Sequence, residues 1–175
     1  MHTEHKYARI ERERRFLLHG FPGNADVVRI RRIMDRYIDG TTLRLREQSD
    51  EGRATVFKLT QKIALPGSGA QQGFITTMYL TEDEFRVLAQ LPAKPLRKTR
   101  YSVPPFGIDV FEDLLEGLVL AEAEFDSALE ADALTLPDFM VREISTDDRF
   151  TGGQLARASR QEIQTWLSEF GITLK

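Results

Sequence analysis

Ile10-Glu11-Arg12-Glu13-Arg14-Arg15-Phe16-Leu17 puts Glu11, Glu13 and Arg15 on one face and Arg12 and Arg14 on the other when read as a strand. By itself the run also suits a solvated strand or a charged helix, so its meaning depends on the rest of the chain. The same two-residue period recurs downstream. Strands are expected at Tyr7 to Leu18, Val27 to Asp39, Thr41 to Glu47, Ala54 to Ala64, Gly73 to Leu80, Lys94 to Val103, Gly107 to Asp113 and Leu118 to Phe125. They are punctuated by turn-forming stretches such as His19-Gly20-Phe21-Pro22-Gly23-Asn24, Ser49-Asp50-Glu51-Gly52 and Pro66-Gly67-Ser68-Gly69. Thr81 followed by Glu82-Asp83-Glu84 predicts a capped helix over Glu82 to Gln90. Ser127 to Leu134 reads as a second helix, Val141 to Ile144 as a short strand, and Gly153 to Phe170 as one amphipathic helix carrying Leu155, Ile163 and Leu167. The expected class is β-rich α+β: eight antiparallel strands, a number that suits a closed barrel or two packed sheets, with peripheral helices.

A length of 175 residues fits one domain spanning 1–175. No apolar run is long enough to cross a bilayer, and Met1 to Arg15 lacks the apolar core of a secretory signal, so a cytoplasmic location is expected. The absence of cysteine excludes disulfides, a thiolate nucleophile and zinc–thiolate ligation. His2, His5 and His19 fall in the N-terminal stretch or a turn and read as surface residues. A net charge of −3 argues against nucleic acid as a partner, and no aromatic platform accompanies the basic pairs. Pro66-Gly67-Ser68-Gly69 lacks the Gly-Lys-Ser/Thr of a phosphate-binding P-loop.

What remains is the pairing of charges on strand faces. Arg44 with Arg46, Lys58 with Lys62, Lys98 with Arg100, and Glu122 with Glu124 repeat the pattern of Glu11, Glu13 and Arg15. Each pair alone describes any half-exposed strand, and Lys98-Thr99-Arg100 also suits a protected sheet edge. Glu122 and Glu124 stand out because Leu118-Val119-Leu120 and Phe125 around them look buried. If the faces converge, the interior holds a basic cluster beside an acidic one. Burying both needs charged partners, and a polyphosphate with divalent cations is a ligand of that kind.

The opening run resembles the ExExK signature of the CYTH superfamily, the triphosphate tunnel metalloenzymes. Further segments resemble that family's motifs in the family's order: Tyr37 with Leu43-Arg44-Leu45-Arg46, Leu59-Thr60-Gln61-Lys62, Lys98-Thr99-Arg100-Tyr101, Ile108-Asp109-Val110-Phe111, Leu120-Ala121-Glu122-Ala123-Glu124-Phe125 and Arg142-Glu143-Ile144-Ser145. The resemblance implies an eight-stranded antiparallel tunnel acting on small triphosphates. It implies Mg²⁺ or Mn²⁺ on Glu11, Glu13, Glu122 and Glu124, and phosphate held by Arg15, Arg44, Arg46, Lys62, Lys98 and Arg100. Lys58 joins that set by sharing a face with Lys62, while Lys98, Arg100 and Tyr37 are the expected catalytic groups. The chain is expected as monomer or homodimer, with no membrane partner.

Two positions depart from the family pattern. Arg15 stands where the signature has lysine, and the fifth strand, Gly73-Phe74-Ile75-Thr76-Thr77-Met78-Tyr79, carries no charge where the family has an arginine and glutamates. The expected activity is hydrolysis of inorganic tripolyphosphate or a similar triphosphate. The alternatives are conversion of ATP to cyclic AMP and pyrophosphate, or polyphosphate or nucleotide binding without turnover.

Overall fold

The computed structural model describes residues 6–65 and 71–174; the Pro66-Gly67-Ser68-Gly69 turn, His2 and His5 lie outside them. Nine strands form: β1 (Arg9–Leu18), β2 (Arg29–Ile38), β3 (Leu43–Asp50), β4 (Val56–Ala64), β5 (Gln72–Leu80), β6 (Ala93–Val103), β7 (Phe106–Phe111), β8 (Val119–Glu124) and β9 (Met140–Glu143). Their order is β5-β4-β3-β2-β6-β7-β8-β1-β9, and β5 also pairs with β1. Eight strands thus close an antiparallel barrel, with β9 outside it. Closure leaves the barrel no open edge.

Closure is made by β1 in two halves. Arg9 to Arg12 pair with β5, Glu13 to Leu18 pair with β8, and Phe16 to Leu18 also pair with β9. One strand therefore joins both ends of the sheet and carries the glutamates.

The two faces of the strands feed two apolar clusters. On the outer face Phe16, Leu18, Ile108, Val119 and Ala121 pack under Phe125, Leu134, Phe139 and Met140. On the inner face the apolar ends of four strands, Leu17, Leu96, Phe111 and Leu120, meet Phe150, Leu155, Ile163 and Leu167 from the C-terminal segment. That segment closes one end of the barrel. Trp166, partly buried, packs edge-on against Phe150, with ring centroids 6.2 Å apart.

Helix α1 (Glu82–Leu88) has the predicted start: Thr81 and Glu84 form a reciprocal capping box, and Phe85 lays its ring 4.7 Å from Phe57 on the outer face of β4. Helix α2 (Ala128–Asp132) is capped by Ser127. The single helix expected over Gly153 to Phe170 is two, α3 (Gly152–Leu155) and α4 (Arg160–Ser168). Ser159 breaks it, because its hydroxyl and Glu162 cap a new N-terminus instead of continuing the first helix. The turn expected at Ser49 begins later: β3 runs to Asp50 and the reversal falls at Gly52, whose φ is 70°.

Gly152 lets the closing segment approach β2. A Cβ there would lie 1.9 Å from the Tyr37 hydroxyl oxygen. Gly152→Ala is expected to destabilise the protein by about 1–3 kcal/mol through overpacking. Urea unfolding checks this against Gly20→Ala, where no atom lies within 4 Å of the added carbon.

Candidate active site

Directly paired residues share a face, so the register orients every charged pair. Arg46 opposes Asp35 and Lys58, Arg100 opposes Arg31 and Asp109, and Arg15 opposes Glu122. The pairs converge on the barrel interior, around a cavity of about 420 Å³ lined by Glu11, Glu13, Arg15, Tyr37, Arg44, Arg46, Lys62, Lys98, Arg100, Glu122 and Glu124. Lys58 shares the inward face, but its Nζ lies over the Tyr79 ring, 5.2 Å from the centroid, and the side chain does not line this cavity. His19 is exposed.

Two of the basic pairs, Arg44 with Arg46 and Lys98 with Arg100, are each held by a buried aspartate. Arg46 donates to both carboxylate oxygens of Asp35, at 2.6 and 2.8 Å, and Arg44 Nε lies 3.7 Å from the same group. Arg100 donates to both oxygens of Asp109 at 2.6 Å, Lys98 donates to Asp109, and Arg100 reaches on to Glu122. Asp35 and Asp109 are fully buried. These bidentate clamps fix the orientation of the cations. Nothing singled out Asp35 in the sequence; the available signal was its place two residues before Tyr37 on the inward face.

Burial alone would raise the Asp35 pKa, but the charges of Arg46 and Arg44 outweigh it and hold the group well below the ordinary carboxylate range. A depressed native pKa stabilises the fold above the unfolded-state pKa, and the contribution is lost as pH falls through the native one. The stability difference between the protein and Asp35→Asn, followed by urea unfolding, is therefore expected to stay constant from neutral pH down to the carboxylate range and shrink below it.

Burial and then the charge of Asp35 raise the Tyr37 pKa, so its hydroxyl keeps its proton at neutral pH. Tyr37 can donate a hydrogen bond there but cannot act as a base. Arg15, 2% exposed, donates to the carbonyls of Phe150 at 2.8 Å and Ser145 at 3.2 Å. The Ser145 hydroxyl accepts from the Arg15 backbone N–H at 3.0 Å. Arginine thus bolts β1 to the closing segment with two divergent donors, which a lysine ammonium presents less rigidly.

The carboxylates lie on adjacent strands. Lys62 Nζ sits 2.6 Å from Glu11 Oε2 and 2.9 Å from Glu13 Oε1; Glu124 is half exposed, 3.8 Å from Arg9. Glu13 is pushed above its usual range by burial and by the charge of Glu122, whereas Arg100 and Lys98 overcome burial to hold Glu122 well below it. Crowded, hard oxygen donors of this kind suit Mg²⁺ or Mn²⁺. Among the described residues, however, no three Asp, Glu, His or Cys side chains are gathered closely enough to hold an ion as they stand.

The fifth strand faces the cavity with Gly73 and Ile75, opposite Ala64 and Lys62, and Thr77 lies 3.2 Å from Thr60 through their hydroxyls. It supplies no charge, as the sequence implied. The closing segment lines the cavity too, through Phe150, Thr151, Gln154 and Leu155, and sequence periodicity gave no hint of that.

A closed antiparallel barrel of eight strands with paired cations and glutamates inside is the tunnel architecture that the sequence resemblance implied. The particular likeness is to NE1496. A crystal structure of the hypothetical protein NE1496 is 25% identical, covers 85% of this chain and 99% of that one, and superposes with a TM-score of 0.56. A crystal structure of the inorganic triphosphatase NE1496 is 24% identical, covers 85% and 95%, and gives a TM-score of 0.55. No family model and no curated protein matches the chain. No helix among the described residues is long and apolar enough to cross a membrane.

Proposed function

We propose that the chain hydrolyses a small triphosphate, most readily inorganic tripolyphosphate, inside the barrel. The observation that carries this is the convergence of Arg44, Arg46, Lys62, Lys98 and Arg100 on one cavity, three of them clamped by buried aspartates in fixed orientations. Phosphoryl transfer places charge on non-bridging and leaving oxygens, and prepositioned cations stabilise that charge without reorganising. NE1496, of the same fold, is an inorganic triphosphatase.

In this reading Lys98 and Arg100 hold the phosphate chain, aided by Arg44 and Arg46. Tyr37 keeps its proton and donates to a phosphate oxygen. Arg15 holds the wall rather than the substrate. Glu11, Glu13, Glu122 and Glu124 would hold Mg²⁺ or Mn²⁺, which when bound supplies Lewis-acid neutralisation of phosphate charge and orients water. Water forms the new bond to the terminal phosphorus as the anhydride bond breaks. Tripolyphosphate then yields phosphate and pyrophosphate. The described cavity walls gather charged side chains from β1, β3, β4, β6 and β8, and an inorganic phosphate chain engages them with no further recognition element.

Purified protein incubated with tripolyphosphate or ATP, with Mg²⁺ or Mn²⁺, tests this. Phosphate and pyrophosphate are expected from tripolyphosphate, well above a Lys98→Ala, Arg100→Ala double variant. Cyclic AMP from ATP would make the chain a cyclase instead, and binding of tripolyphosphate without any product would make it a binding protein.

A further inference from the structure

Lys62 stands between two glutamates where a cation ligand would stand. It lies on β4, and β5 separates it from β1, yet its Nζ reaches across to both Glu11 and Glu13. The inward positions of β5 at that level are Gly73 and Ile75, paired with Ala64 and Lys62 on one side and with Glu11 and Arg9 on the other. No carboxylate on β5 competes for the ammonium. The uncharged fifth strand and the reach of Lys62 are thus two sides of one arrangement: lacking an anion beside it, Lys62 takes the carboxylates of the next strand.

We propose that Lys62 is a tethered counter-cation that competes with a divalent cation for Glu11 and Glu13, and that an arriving cation hands Lys62 over to the phosphate chain. The proposal rests on the reading that these glutamates take a divalent cation. One ammonium placed at 2.6 and 2.9 Å from the carboxylates of two half-buried residues neutralises part of their mutual repulsion. A dication entering the same donors cannot share them with a charge of the same sign at that distance, so Lys62 must leave. Its four-carbon stem lets it swing within the cavity it lines, where Arg100 already engages Glu122 and a bound phosphate chain presents the densest negative charge. Cation and oligophosphate then favour each other's binding, and Lys62 is quenched by protein carboxylates whenever the cation is absent.

Mn²⁺ alone, titrated without phosphate and followed by the paramagnetic resonance of the free ion, tests the competition. Lys62→Met and Lys62→Gln are each expected to bind Mn²⁺ roughly tenfold more tightly than the unaltered protein, the size of one charge-assisted contact removed, and Glu13→Gln is expected to weaken it. Circular dichroism confirms that each variant is folded. In the unaltered protein, Mg²⁺ alone is expected to shift the ε-methylene resonance of Lys62, a readout that needs no variant to fold. Equal or weaker Mn²⁺ binding by both Lys62 variants, or an unmoved Lys62 resonance at saturating Mg²⁺, overturns the competition while leaving the cation site standing. No Mn²⁺ binding by any of the proteins overturns the cation site and the competition with it, whereas the product assay with tripolyphosphate reports separately on turnover.

Discussion

Arg100→Ala is expected to lower kcat on tripolyphosphate by roughly 10²- to 10³-fold, the usual effect of removing one fixed donor aimed at charge that develops in the transition state. Asp109 already holds the guanidinium through both oxygens, and Glu122 accepts from the same Nη2 that reaches Asp109. Substrate therefore meets a cation that needs no reorientation. Arg97 is the matched control: it lies on the same strand, points outward, and sits 3.8 Å from exposed Asp113. Arg97→Ala is expected to leave kcat unchanged. Steady-state kinetics on the two variants decides the matter, because equal losses would show that β6 matters for integrity rather than for charge.

Asp109→Ala is expected to destabilise the protein by about 3–5 kcal/mol, since it leaves Lys98 and Arg100 as like charges with their shared counter-ion gone. The Asp109 carboxylate is fully buried and accepts from both cations, so water cannot take its place cheaply. Asp109→Asn keeps the shape and one acceptor and is expected to lose less. Urea midpoints measure both. A loss under about 1 kcal/mol for alanine, typical of exposed pairs, would mean that the cations relax into the cavity and that the clamp orients them without stabilising the fold.

Strand periodicity carried most of the barrel, because a two-residue alternation sorts side chains by face wherever the chain is extended. The glutamates of β1 and the arginines of β3 were visible for that reason. Periodicity reports the face but not the partner, so it placed Arg15 in the cavity without revealing the bonds its guanidinium makes to Phe150 and Ser145. The same limit hid Asp35, an acid between Met34 and Arg36 that gains meaning only from Arg46 on the adjoining strand. The break at Ser159 was missed because the apolar positions Leu155, Ile163 and Leu167 keep a helical spacing across it. A local capping box overrode the longer pattern.

The bolt between Arg15 and the closing segment spans 130 residues to Ser145 and 135 to Phe150. During synthesis β1 must wait for almost the whole remaining chain before its inner face is covered, and contacts so distant in sequence form late and slowly. A nascent chain thus carries its anion-attracting side chains without the chamber that arranges them. The chamber that gathers them is completed only with the last docking event, and a chain truncated before Ser145 should lack that wall.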